Sequence, residues 1–207
     1  MLDLAAIAGA AVAPAPFPYL VAHGVLSAVD LAAVRADFPA ISKAGLFPLS
    51  ELNYGTTFAH LVEELNGAPF AGLMGERLGL ELANRPVMVT VRGQCHKRDG
   101  SIHADSKAKV ATCVLYLNDI WDESGGRLRM LRSSNDIDDY AAEVPPDGGT
   151  LVAYARTEHS WHGHKSYVGE RRYIMLNWMV SKSVLVRELA RHGFTAMFKR
   201  RFAMLSR

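Results

Sequence analysis

The chain has 207 residues, 49% hydrophobic and 21% charged, with a net charge of +2. That is enough apolar material for one buried core, and it excludes a disordered chain. Two cysteines, Cys95 and Cys113, are too few for a disulfide framework, and no run approaches the roughly 20 apolar residues of a membrane span, so a cytoplasmic protein is expected.

Residues 1–16 superficially resemble a signal peptide. They lack a basic start, carry Asp3, and hold an apolar run of only about ten residues, so no leader is expected. From residue 17 to about 85 the pattern is mostly helical. Ser27 followed by Asp30 reads as a capping box, with Leu31, Val34 and Phe38 forming one stripe that ends at Pro39. Residues 40–55 are rich in turn formers and read as irregular. Thr56 or Thr57 can cap a second helix, with Phe58, Leu61, Val62 and Leu65 on one face and Gly67 beyond its end; a third runs from Pro69 to Leu78. These helices are expected to form a layer on the outside of a sheet.

From Pro86 the period changes to two. Val87, Val89 and Val91 alternate with Met88, Thr90 and Arg92, and residues 110–117 form an apolar strand buried on both faces. Turns at Gly125-Gly126 and at 145–149 precede strands 127–131 and 150–155, and a further strand covers 172–180. Short strands at this spacing predict an α+β chain: a jelly roll over about 86–181 with the helices on one face. One domain is expected over the whole chain. Its end is basic: from Lys182 to Arg207 there are seven cations (Lys182, Arg187, Arg191, Lys199, Arg200, Arg201, Arg207) and one acid, Glu188. A solvated C-terminal helix over about 182–207 is the plain expectation, and contact with an anionic surface the functional alternative. Nucleic-acid binding is not expected, because Phe194, Phe198 and Phe202 sit at helical spacing and no recognition motif accompanies the charge.

The chemistry concentrates in Ser101-Ile102-His103-Ala104-Asp105. In extended chain a histidine and a carboxylate two residues apart point to one face. Alone this is a weak signal. It gains weight from the ordered features downstream of it: a buried strand, a Gly-Gly turn, a second histidine, and a basic residue about ten positions on. Of His159, His162 and His164, spacing favours His162, which leaves His164 as a neighbouring or substrate contact and His159 as a loop residue. Two histidines and a carboxylate with open positions form the facial triad of non-haem Fe(II) oxygenases.

Arg172 shares a face with Ile174, Leu176, Trp178 and Val180, and Arg171 shares the other with Tyr173, Met175, Asn177 and Met179. The first face is the more apolar, so it is assigned to the barrel interior. A buried guanidinium there requires an anion, and a carboxylate fits its fork; Arg172 is therefore the candidate for an organic carboxylate, with Arg171 exposed. Thr112, Val114 and Tyr116 share a strand face, from which Tyr116 could donate to the same carboxylate. Trp161 is a candidate for the metal's surroundings or the substrate mouth. Arg92, Lys107, Lys109, Arg127 and Arg129 form a candidate basic rim, and the last two share a strand face suited to an anionic substrate. Asp136, Asp138 and Asp139 read as a solvated acidic loop without calcium-loop spacing.

The run from Ala111 through Tyr116-Leu117-Asn118 to Trp121, then Gly125-Gly126-Arg127-Leu128, resembles the 2-oxoglutarate- and Fe(II)-dependent oxygenase superfamily, and most of all its prolyl-hydroxylase-like branch. The resemblance covers about residues 87–180. It implies a double-stranded β-helix, His103, Asp105 and His162 as iron ligands, and Tyr116 with Arg172 on the distal carboxylate of 2-oxoglutarate. It further implies Fe(II), 2-oxoglutarate and O2 as cofactors, with ascorbate a candidate reductant, and hydroxylation of a C–H with release of succinate and CO2. Two arginines stand where that family usually has one, so Arg171 remains a candidate for the same role. A small metabolite, saccharide or lipid group is favoured over a prolyl peptide. The rival readings are a metal-dependent cupin-like enzyme that needs no 2-oxoglutarate, and a non-catalytic binding module.

Overall fold

The structure is a computed structural model that describes residues 1–191. Residues 182–191 are helical; the expectations for Lys199, Arg200, Arg201, Arg207 and the phenylalanine stripe lie outside the described residues.

A short helix, α1 (Leu4–Gly9), is capped by the Asp3 carboxylate and followed by β1 (Val12–Ala13) and β2 (Tyr19–Ala22). Helix α2 (Ala28–Ala36) begins at the expected box, where the Ser27 hydroxyl accepts from the Asp30 amide at 3.1 Å and donates to its carboxylate at 2.8 Å. Strand β3 (Phe47–Pro48) precedes α3 (Thr56–Asn66) and α4 (Ala68–Leu78). The expected threonine cap of α3 is absent. Gly55 holds the cap position, and the Asp37 carboxylate accepts from the Thr57 amide at 2.7 Å, so the cap comes from the end of α2. Then come β4 (Val87–Cys95), β5 (Lys109–Tyr116), β6 (Leu128–Leu131), β7 (Tyr140–Val144), β8 (Leu151–Ala155), β9 (His162–Gly163) and β10 (Gly169–Met179).

Seven strands form one sheet in the order β1-β2-β8-β5-β10-β4-β3, and three form a second in the order β7-β6-β9. Every pairing between named strands is antiparallel. This is the expected α+β jelly roll with helices on one face. Two corrections concern the N-terminal region: Tyr19–Ala22, within the stretch read as mostly helical, and Phe47–Pro48, read as irregular, join the large sheet as β2 and β3, and Val12–Ala13 adds β1. They are strands of two to four residues, β1 and β3 at the sheet edges and β2 next to β1, too short for period two to register.

The large sheet separates two cores. On one side Phe58, Leu61, Leu65, Phe70 and Met74 of the helices pack with Ile174, Leu176 and Trp178 of β10. On the other, Val114, Tyr116, Tyr154 and Tyr173 pack with Leu128, Met130 and Val144 of the small sheet. The face of β10 bearing Arg172 therefore lies under the helices, and the face bearing Arg171 lies inside the roll. The face assignment made from apolarity is reversed. The interior of the roll must admit polar groups, whereas the helix-covered side needs none, so the more apolar face goes outward.

Candidate metal centre and its cavity

His103 is not in a strand. It forms an isolated antiparallel bridge with His162, each amide donating to the other's carbonyl at 3.0 and 2.9 Å. This pairing, rather than a shared strand with Asp105, brings the two imidazoles to a centroid separation of 4.3 Å. Both rings are anchored in the same way, through Nδ1. Nδ1 of His103 lies 2.9 Å from the Ser101 carbonyl, and Nδ1 of His162 lies 2.9 Å from that of Ser160. A carbonyl only accepts, so both Nδ1 atoms carry the proton and both Nε2 atoms present a lone pair. Burial pushes His162 down to about 4, which keeps that lone pair available at neutral pH.

Asp105 is buried between donors. Its Oδ1 accepts from Lys109 Nζ at 2.7 Å, and its Oδ2 from the Thr112 hydroxyl at 2.5 Å and the Tyr154 hydroxyl at 3.3 Å. Thr112 in turn accepts from Asn177 Nδ2 at 2.8 Å, which orients its hydrogen toward Asp105. Burial alone would raise the carboxyl's pKa. The Lys109 ammonium, the neighbouring His162 and the hydrogen bonds outweigh it and hold the group well below the usual carboxylate range. Ligand atoms of His103, Asp105 and His162 all lie within 4.8 Å of one another. Two bare imidazole nitrogens and one ionised, oriented carboxylate are a donor set suited to a divalent transition metal with open positions.

The triad opens into a cavity of about 160 Å³ that also holds Tyr116, Lys109 and Arg171. Arg171 is 3% exposed; its Nε donates to the Gly126 carbonyl at 2.8 Å and its Nη2 to the Tyr116 hydroxyl at 3.2 Å. The guanidinium lies 5.2 Å from the ring centroids of both Tyr116 and Tyr173. Among the described residues no carboxylate pairs with it. Arg172, by contrast, pairs with Glu170 at 2.7 Å and lies 5.4 Å above the Phe38 ring, outside the cavity. Of the basic pair, Arg171 and not Arg172 faces the pocket, which Arg92 also lines. The registers Tyr173↔Tyr116, Met175↔Val114 and Asn177↔Thr112 set the odd residues of β10 beside the even residues of β5 on the interior face.

The remaining candidates divide. His164 lines the cavity, with Nδ1 on the Lys165 carbonyl at 2.9 Å; burial, helped by Arg171, pushes it down to about 4. His159 sits in an exposed turn. Trp161 is half-buried and is not part of the cavity wall. The pair Arg127 and Arg129 is no basic rim. Arg129 is buried and ion-paired with Glu143 and Asp138, while Arg127 donates to the carbonyls of Glu123 and Trp121. Asp138, read as part of a solvated loop, is spent on Arg129 and Lys165. Sequence reasoning missed Tyr154, whose hydroxyl lies 3.1 Å from His162 Nε2. Its parity with Val152, on the interior face of β8, was the available signal. It also left Lys109 among rim residues, although four positions from Asp105 is within ion-pair reach.

Residues 91–180 match a family model described as the 2OG-Fe(II) oxygenase superfamily. Among solved structures, a Pseudomonas putida prolyl-4-hydroxylase superposes with a TM-score of 0.53 at 18% identity, covering 78% of this chain and 91% of that one. A Trichoplax adhaerens prolyl hydroxylase in complex with a hypoxia-inducible-factor peptide gives 0.53 at 12% identity, covering 81% and 86%. A viral collagen prolyl hydroxylase from Paramecium bursaria Chlorella virus-1, in complex with 2-oxoglutarate, gives 0.50 at 15%, covering 79% and 95%. At these identities the likeness is one of fold. No curated protein matches the chain.

Proposed function

We propose that the chain is a 2-oxoglutarate- and Fe(II)-dependent oxygenase, a reading supported by the match of residues 91–180 to that superfamily's model, and that it hydroxylates an unactivated C–H of a small metabolite, saccharide or lipid group. Its cofactors are those of the family: Fe(II), 2-oxoglutarate and O2. In the proposed reaction one oxygen atom of O2 enters the substrate as a hydroxyl. The other enters succinate as 2-oxoglutarate loses CO2, with ascorbate a candidate for restoring inactive enzyme.

His103, Asp105 and His162 would hold the iron, which supplies the activation of O2. Thr112, Tyr154 and Lys109 orient Asp105, and the carbonyls of Ser101 and Ser160 hold both imidazoles in the ligating tautomer. Arg171 takes the distal carboxylate of 2-oxoglutarate, with the Tyr116 hydroxyl beside it as a second donor. The observation that carries this reading is Arg171 itself. It is a guanidinium buried within the triad's own cavity, with no acid paired to it among the described residues. A buried unpaired charge costs several kcal/mol, so the site calls for an anionic ligand. A metal enzyme that needs no keto acid would have no use for it.

The test is succinate release by purified protein. It should require both Fe(II) and 2-oxoglutarate and fall by about a hundredfold or more in His103→Ala. Release at the full rate in that variant would sink the assignment.

A further inference from the structure

The cavity holds more positive charge than the proposed reaction consumes. Three cationic side chains line it, Arg92, Lys109 and Arg171, against two carboxylates, Asp99 and Asp105. Fe(II) adds two positive charges and 2-oxoglutarate brings two negative ones, so the loaded site keeps a surplus of one. A surplus charge among partly buried cations calls for an anion.

The cations are not equivalent. Arg171 belongs to the cosubstrate. Arg92 is already neutralised, with Nη1 2.5 Å from Asp99 and Nε 2.9 Å from the Tyr173 hydroxyl. Lys109 is different. Its side chain is 15% exposed, and its polar partner among the described residues is Asp105, the carboxylate proposed for the metal. An ammonium has three donors, of which Asp105 occupies one. Once a divalent ion shares the Asp105 charge, Lys109 is left as an undercompensated cation one carboxylate away from the reacting centre.

A second observation lies outside the cavity. An open groove of about 450 Å³ shares Asp99, Gly100 and His164 with the cavity wall and carries Lys97, Arg98 and Lys165. Lys165 is paired with Asp138, but among the described residues no carboxylate is paired with Lys97 or Arg98. Gly100, whose φ is +91°, packs so closely on His164 that a Cβ there would meet it at 2.4 Å, and these two residues line both the groove and the cavity. The cavity itself, about 160 Å³, is smaller than the usual small-ligand pocket. With 2-oxoglutarate inside, little room is left for more than the reacting end of a substrate, and the groove that borders the cavity at Asp99, Gly100 and His164 offers a place for the remainder. Cations along such an approach concentrate anions at the entrance.

We propose that the primary substrate carries a negative group, a carboxylate or a phosphate, and that Lys109 binds it beside the metal ligands, with Lys97 and Arg98 drawing it in. This rests on the proposed oxygenase reaction and names the substrate class for the same site.

The experiment titrates matched pairs into anaerobic protein loaded with Fe(II) and 2-oxoglutarate, read by calorimetry. One arm sets carboxylic acids against their primary amides; the other sets sugar phosphates against their parent sugars. The negative member of at least one pair should bind about tenfold or more tighter, and the arm in which it does so identifies the group. Lys109→Met should bring that ratio close to one, and Lys109→Arg should retain it. Because the ratio is taken within each variant, lower occupancy by iron does not mimic the effect. The groove variant Lys97→Glu/Arg98→Glu should reduce the ratio several-fold at low salt without weakening the neutral member, and it serves if Lys109→Met does not fold. A panel in which no negative member outbinds its neutral partner overturns the proposal, as does a ratio that survives in folded Lys109→Met or, should that variant not fold, in the groove variant. A separate titration with 2-oxoglutarate distinguishes the two levels. If it does not bind, the oxygenase reading fails; if it binds and the pairs remain equal, the substrate class alone is wrong.

Discussion

The two faces of β10 differ sharply in what they carry. One carries Ile174, Leu176 and Trp178, each fully buried against the helices. The other carries Arg171, Tyr173, Met175 and Asn177 and lines the interior of the roll. A single strand thus supplies the hydrophobic anchor of the fold and the charged wall of the site. The difference teaches that "apolar face inward" holds for a sheet with one buried side. Where both sides are buried and one contains a ligand site, the less apolar face is the inner one.

The comparison can be broken from either side. Trp178→Ala removes the largest side chain of the helix-covered face and should cost about 3–5 kcal/mol of folding free energy in urea titrations. The 2-oxoglutarate affinity of the fraction that remains folded should be nearly unchanged. A loss of affinity that exceeds the loss of stability would show that the two faces are coupled.

Next in size is an effect of pH on the metal-free protein. The cavity side holds His162 and His164, both pushed down to about 4 by burial. In the unfolded chain each takes up a proton near pH 6.5, which the folded state resists until about 4. Stability is therefore fully present above about 6.5 and falls as pH drops from there toward 4, by up to about 3 kcal/mol per histidine. His164→Gln should flatten that slope by about one proton. A stability profile flat between pH 7 and 4 would contradict the burial of these rings.

Arg171→Met should raise the 2-oxoglutarate concentration needed for half-maximal succinate release by about 30-fold or more, the loss of a buried charge-assisted contact. Arg172→Met, on the other face, should change it less than about twofold, because its exposed ion pair with Glu170 is worth about 0–1 kcal/mol. The reverse result would restore the assignment made from apolarity. Smallest is Thr112→Val. It strips one of the donors from Asp105 and strands Asn177 Nδ2, with an expected cost of about 1–3 kcal/mol and a roughly tenfold weaker metal affinity, measured by competition with a chelator.

Long, strongly patterned elements were legible from residues alone: the Ser27 capping box, the Phe58–Leu65 stripe, and strands β4, β5, β8 and β10. The two-residue strands β1, β3 and β9 were not, because two residues have no period. The order His-x-Asp, buried strand, Gly-Gly, His pointed to the three residues that the structure brings together. It did so for a partly mistaken local reason, since His103 and Asp105 share no strand, and the bridge from His103 to His162 does the aligning. The basic pair showed that a guanidinium belonged near the site but not which one. Alternation establishes that neighbours face opposite ways and is silent on which way is inward.

The sequence by itself determined the donor types, their order along the chain and the parity of each strand, because these depend on side-chain chemistry and the two-residue repeat of extended backbone. The tertiary structure decided which parity faces the metal, which arginine is buried without an acid, and that Arg129 is spent on Glu143 and Asp138 while Lys109 stands beside Asp105. Those outcomes depend on which layer covers each face and on which charges long-range pairing brings within a few ångströms, and neither is a property of any local stretch of chain.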